Sequence, residues 1–218
     1  MADPNSRSGV MYSTPEIQSY ADRTHAQHDA ALERAFRAPD HHDMPAIQLG
    51  ASESRLLTLL MQLIEARKVV EVGTLAGYSA LRLARGLCPG GKLWTFEIEP
   101  SYAQIARDNV QAAGLSSTIE VRLSPALQGL SEIEAEGPFD AMFIDADKGG
   151  YPEYARWAKQ HLRPGGLLIG DNAYYFGQLL DAQDATASRM RAFHAYVSEH
   201  FDSVCMPTPD GMVLALAR

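Results

Sequence analysis

The feature that most constrains this 218-residue chain is an alternation through its middle, in which short apolar runs are separated by segments of helical length. Residues 68–72, 92–96, 119–123, 141–144 and 167–169 have the length and side chains of strands, and residues 78–87, 102–113, 126–134 and 151–162 lie between them as helices. Strands that are apolar on both faces and separated by helices of ten or so residues pair in parallel. The expected architecture is therefore an α/β doubly wound sheet, mostly parallel. After a helix at 187–200, the run 203–206, the turn Asp210-Gly211 and the run 212–216 predict a hairpin that closes the sheet with an antiparallel pair.

The N-terminal part reads differently. Residues 1–12 are polar and Gly/Pro-containing, and are expected to form a flexible arm. Thr14, Pro15 and Glu16 form a helix-start signal, and apolar positions from Ile17 to Phe36 predict helices up to about Arg37, ended by Pro39. Residues 40–50, with His41 and His42, have no period and read as a loop before a helix capped by Ser52. The adjacent histidines lack the i,i+4 spacing of a helical metal pair and are expected to be solvated. One domain is expected over 13–218, with an N-terminal helical segment at about 14–65.

Composition excludes several classes. The formal net charge of minus 8 repels a phosphate backbone, so no nucleic-acid partner is expected. Cys88 and Cys205 are the only cysteines, too few for a disulfide framework and without zinc-site spacing. No apolar run approaches the roughly 20 residues of a membrane helix, and the start lacks an apolar signal core. A soluble, cytoplasmic protein without a membrane partner is the expectation.

The first strand runs directly into Glu71-Val72-Gly73-Thr74-Leu75-Ala76-Gly77-Tyr78-Ser79. Two glycines between a buried strand and a helix start let backbone approach a ligand, but the three-glycine spacing of a dinucleotide turn is missing. Glu97, at the end of the second strand, is placed to accept ribose hydroxyls. Together they indicate a nucleoside-type ligand without a pyrophosphate. The fourth and fifth strands end in Asp145-Ala146-Asp147-Lys148 and Asp171-Asn172. Adjacent parallel strands lie about 4.8 Å apart, so Asp145 and Asp171 project from one edge beside Asn172. Two such carboxylates repel unless a cation or a shared proton intervenes. An all-oxygen set suits a hard cation, Mg²⁺ first, with Mn²⁺ or Ca²⁺ as substitutes. The competing reading makes these residues ordinary helix caps and turns. Lys148 is either a solvated loop lysine or a base reaching the same place. Trp94 and Trp157 sit at core positions, whereas Tyr174 and Tyr175 follow Asn172 directly and can stack on an aromatic acceptor.

In order and spacing, Glu71-Val72-Gly73 with Gly77-Tyr78-Ser79, Glu97, Asp145-Ala146-Asp147-Lys148 with Tyr151, Asp171-Asn172 and Asp210-Gly211 resemble the metal-dependent, catechol-type O-methyltransferases. That group includes catechol O-methyltransferase and the caffeoyl-CoA O-methyltransferase-like enzymes, and the likeness runs from about Met44 to the C-terminus. The resemblance implies the Rossmann-like class I methyltransferase fold of seven strands. It implies an S-adenosylmethionine pocket at Glu71, Gly73, Tyr78, Ser79, Glu97 and Asp145, with Ala126 near the adenine and Met44 near the transferred methyl. It further implies metal ligation by Asp145, Asp171 and Asn172, Lys148 as general base, a small aromatic substrate, and a homodimer packed through 15–37. The sequence departs from its relatives at Ala173-Tyr174-Tyr175-Phe176, where Leu-Trp or an aliphatic pair is common. Rival expectations are an NAD(P) oxidoreductase, a nucleic-acid or protein methyltransferase, and a non-catalytic module that only binds S-adenosylmethionine.

Overall fold

Each apolar run becomes a strand of one seven-stranded sheet in the computed structural model, which describes Asn5 and residues 9–218. The strands are β1 (Lys68–Val72), β2 (Lys92–Glu97), β3 (Ile119–Leu123), β4 (Phe139–Ile144), β5 (Leu162–Gly170), β6 (Phe201–Met206) and β7 (Met212–Ala217). Their spatial order is β3-β2-β1-β4-β5-β7-β6. The first five run parallel, and β7 is antiparallel to both β5 and β6. The expected parallel sheet with a closing hairpin is therefore present. Of the arm read at residues 1–12, residues 1–4 and 6–8 lie outside the described residues.

Alternation along the strands divides the core into two layers. Val70, Val72, Trp94, Phe96, Met142, Ile144 and Leu168 face one side, and Val69, Leu93, Ala141, Phe143, Leu167 and Ile169 face the other. The first layer is covered by α7 (Ala126–Glu132), α8 (Tyr151–His161) and α9 (Ala185–His200), and the second by α4 (Ala51–Leu63), α5 (Tyr78–Ala84) and α6 (Pro100–Ala112). Trp94 and Trp157 are core residues, with the Phe139 ring packed against both.

The N-terminal helical reading resolves into α1 (Pro15–His25) and α2 (Ala30–Phe36). Asp29 caps α2, its carboxylate accepting the Leu32 N–H at 3.0 Å. Pro39 does not end the helical segment, because a proline needs no partner for its nitrogen in a first turn, and it lies inside the short α3 (Ala38–His41). Nor does Ser52 cap α4. Gly50 holds that place, its N–H bonded to the Glu53 carboxylate at 3.2 Å, while the Ser52 N–H and hydroxyl both donate to Asp22 of α1. The helix expected at 126–134 stops at Glu132, followed by a 3₁₀ turn at Glu134–Glu136. His41 and His42 are exposed, as expected, and both cysteines are free. Among the described residues no helix is long and apolar enough to cross a membrane.

Candidate active site

From β1 the chain winds outward through β2 and β3, and from β4 it winds the other way to β5, so the connections diverge between β1 and β4. Ligands of open α/β sheets bind where this happens, beyond the carboxyl ends of the strands. A cleft of about 660 Å³ lies there. Its walls include Gly73, Ser79, Glu97, Ala126, Asp145, Lys148 and Asn172 from the strand ends, and Pro45 and Ile47 from the segment after α3.

Gly73 makes this edge possible. It has φ of 96°, and a Cβ placed on it would lie 1.9 Å from the Asp145 carbonyl oxygen. With no side chain, the β1 loop crosses the end of β4 while Asp145 N–H still donates to Val72 O at 2.9 Å. Asn109, buried on α6, supports the loop by donating to Ala76 O at 2.9 Å and accepting from Arg34 of α2 at 2.9 Å. Opposite, the Glu97 carboxylate accepts the N–H groups of Leu75 at 2.8 Å, Ile98 at 2.9 Å and Glu99 at 3.0 Å. A carboxylate so fixed presents its remaining lone pairs to the cleft.

Glu71 is fully buried beneath the loop, accepting from Thr95 Oγ1 at 2.6 Å, while its Oε1 has no hydrogen-bond partner. Burial pushes its carboxyl up to about 8; the Ser79 and Thr95 hydroxyls oppose this, and the Asp145 and Glu97 charges add to it. A carboxyl whose folded pKa is raised holds its proton longer than in the unfolded chain, so stability is full below about 4.5 and falls until about 8. The slope is about 1.4 kcal/mol per pH unit. In Glu71→Gln that slope disappears, so thermal melts of the ligand-free protein from pH 5 to 8 should show a smaller loss in the variant than in the wild type. Parallel losses would mean that Glu71 ionises normally.

Asp145 and Asp171 are the next residues after Ile144 and Gly170, which are paired across β4 and β5. Asp171 is 5% exposed, and its carboxyl is pushed up to about 7, first by burial and then by the Asp145 charge. Lys148 Nζ lies 3.3 Å from Asp145 Oδ1 and donates to the Tyr151 hydroxyl at 2.9 Å. That hydroxyl also contacts Ile144 O and Asp171 O at 3.1 and 2.8 Å, and burial raises its own pKa well above the ordinary tyrosine value. Asp147 turns to α8, accepting from Tyr154 and Gly150 at 2.6 and 2.8 Å. The cluster thus sets Asp145, Asn172 and Lys148 at one end of the cleft, with the Asp171 carboxyl buried beside them. Among the described residues no group of three or more His, Cys, Asp and Glu is arranged to hold a metal ion.

Comparison with known proteins shows the family. Residues 22–218 match the family described as O-methyltransferase. The chain belongs to that family. A catechol O-methyltransferase from Mycobacterium tuberculosis is 38% identical over 94% of this chain and 96% of its own length. One from Niastella koreensis is 37% identical, over 87% of this chain and 91% of its own. The crystal structure of the Bacillus cereus O-methyltransferase in complex with SAH superimposes with a TM-score of 0.89 at 34% identity, covering 93% of this chain and 97% of that one. The fold is that of class I methyltransferases.

Several residues expected at the O-methyltransferase site are held by contacts away from the cleft. Tyr78 borders the cleft, but its hydroxyl is bound to His28 Nε2 at 2.6 Å and Ser54 Oγ at 2.7 Å, in the N-terminal layer. Met44 does not line the cleft; it is buried with Ala38 and Ala76, and Ala76 borders the cleft. Neither Tyr174 nor Tyr175 lines it. Tyr174 packs on Gly211 and hydrogen-bonds Cys205, and Tyr175 packs against the core with its hydroxyl on Asp184 at 3.4 Å. Of this loop, Phe176 is the aromatic residue that lines the cleft, 64% exposed, where Tyr78, Phe96, Tyr102 and Tyr154 also border it. Residues 175–177 all have positive φ, which redirects the side chains and leaves no trace in a pattern of residue types.

Proposed function

We propose that this chain transfers a methyl group from S-adenosylmethionine to a hydroxyl of a catechol-like, vicinal dihydroxy aromatic small molecule, assisted by a hard divalent cation. The observation that carries this reading is the juxtaposition of Asp145, Asn172 and Lys148 at one end of a cleft whose other wall holds Glu97, with Asp171 buried beside them. Glu97, held by three N–H groups, accepts the ribose hydroxyls, and Gly73 lets the loop backbone approach the donor. Ala126, at the start of α7, borders the adenine side.

Asp145, Asp171 and Asn172 fit Mg²⁺, with Mn²⁺ or Ca²⁺ as substitutes: every donor is oxygen, and the Asp171 carboxyl, raised first by burial and then by the Asp145 charge, is only partly offset by the Asn172 N–H and Lys148. The metal supplies Lewis-acid polarisation of the acceptor hydroxyl when bound. Lys148, in its amine form, takes the hydroxyl proton, its Nζ oriented by Tyr151 and Asp145. The acceptor oxygen attacks the sulfonium methyl, the C–S bond breaks, and the thioether product keeps the bonding electrons. Phe176 and Ile47, both exposed at the cleft, offer apolar contact to the acceptor ring.

The names of the Mycobacterium tuberculosis and Niastella koreensis relatives support the catechol class. Family membership disfavours the oxidoreductase reading, and the complete acid and lysine set argues against a module that only binds the donor. A second copy of this chain would cover Ile17 and Tyr20, which α1 leaves exposed. The test is methyl transfer to a panel of catechols with Mg²⁺ and then with chelator. Turnover should vanish with chelator and return with excess Mg²⁺. Transfer that ignores chelator would remove the metal from the mechanism.

A further inference from the structure

The Asp210-Gly211 turn between β6 and β7 has no part in the chemistry proposed above, yet it touches the loop that carries much of it. That loop, which follows β5, takes an unfavourable course: φ is 51° at Asn172, 50° at Tyr175 and 52° at Phe176. Side-chain-bearing residues persist in this region only where their surroundings enforce it. The hairpin turn supplies that enforcement. Gly211 O accepts the Ala173 N–H at 2.9 Å, and Asp210 O accepts that of Tyr174 at 2.8 Å. The Asp210 carboxylate accepts the Phe176 N–H at 2.9 and 3.2 Å and also takes a hydrogen bond from the Asn172 side chain. Gly211 has φ of 73°, and a Cβ there would lie 2.7 Å from the Tyr174 ring, so the turn and the loop fit face to face.

We propose that Asp210 is a positioning residue for the acceptor side of the reaction, holding Asn172 and Phe176 in place through its carboxylate. Its partners belong to the loop after β5, so one side chain on the far hairpin reaches both the amide read as a metal ligand and the backbone N–H of Phe176, whose ring lines the cleft. The donor side stands apart, with Gly73 and Glu97 fixed by contacts among β1, β2 and β4. The inference rests on the functional reading above for the roles of Asn172 and Phe176, but the hold on the loop can be measured without it.

The experiment compares wild type with Asp210→Ala and Asp210→Asn by four readouts: amide hydrogen exchange of 172–178, SAH affinity, Mn²⁺ binding by electron paramagnetic resonance, and catechol kinetics with Mg²⁺. In Asp210→Ala, exchange in 172–178 should quicken at least tenfold, Mn²⁺ affinity should fall at least fivefold, and the catechol KM should rise at least tenfold. SAH affinity should stay within twofold. Asp210→Asn keeps a carbonyl oxygen for Phe176 N–H and should restore most of the protection. Unchanged exchange in 172–178 would overturn the proposal, as would a uniform loss of protection across the sheet together with SAH affinity. A wild type that neither binds Mn²⁺ nor methylates catechols would defeat the functional reading instead, and exchange would still decide whether Asp210 holds the loop.

Discussion

Asp171→Ala should lower Mg²⁺-dependent methylation of a catechol by about 10³-fold or more while SAH binds within about threefold of the wild type. The magnitude follows from losing a charged group that holds a Lewis acid against the developing negative charge, where single electrostatic contributions reach about 10²–10³. The selectivity follows from position, since Asp171 is buried at the end of β5 while Glu97 and the β1 loop form the other side of the cleft. Unfolding is a poor explanation for such a loss. With its folded pKa raised from 3.8 to about 7, the Asp171 carboxyl contributes stability at low pH that is lost as pH rises through that interval. At pH 8 the ionised side chain burdens the ligand-free fold, so the alanine variant should melt at the same temperature or higher. Kinetics, SAH titration and a melt at pH 8 check the three parts. Activity within tenfold of the wild type would remove Asp171 from the machinery, and a matching collapse of SAH affinity would make it a structural support of the donor pocket.

The strand ends were legible in the sequence because parallel strands covered on both faces carry unbroken apolar runs, and the first polar residues after each run mark the edge where ligands bind. Glu97, Asp145, Lys148 and Asn172 all fall at the cleft for that reason, with Asp171 buried beside them. The start of β5 was hidden. Arg163-Pro164-Gly165-Gly166 reads as a turn, yet Leu162 pairs with Phe139 before the register shifts and resumes at Leu167 with Ala141. In the N-terminal segment the structure divides α1 from α2 at Asp29, which caps α2. Tyr174, Tyr175 and Met44 could not be placed from pattern. Positive φ values turn the 172–177 loop, and distant partners such as Gly211, Cys205 and Asp184 fix where its rings go. Side-chain direction in such a loop comes from tertiary contacts, which residue types and spacing do not encode.

Gly73→Ala should abolish measurable SAH binding, with at least about a hundredfold loss of affinity, and destabilise the protein by about 3 kcal/mol or more. Two costs coincide. A φ of 96° is strained for any residue with a Cβ, and that Cβ would be driven to 1.9 Å from the Asp145 carbonyl oxygen, a backbone atom with no rotamer to escape into. Relief requires the ends of β1 and β4 to part, which breaks the bond from Asp145 N–H to Val72 O and displaces the loop that borders the donor cleft. Gly90→Ala separates the two costs. Gly90 has φ of 77° and nothing within 4 Å of its Cβ direction, so it bears the conformational strain without the collision. It should lose only about 1–2 kcal/mol and bind SAH normally. Denaturant melts and SAH titration of both variants decide the matter. Equal behaviour would reduce Gly73 to a turn residue, whereas loss confined to Gly73→Ala means that close passage of the β1 loop over the end of β4 builds the donor site.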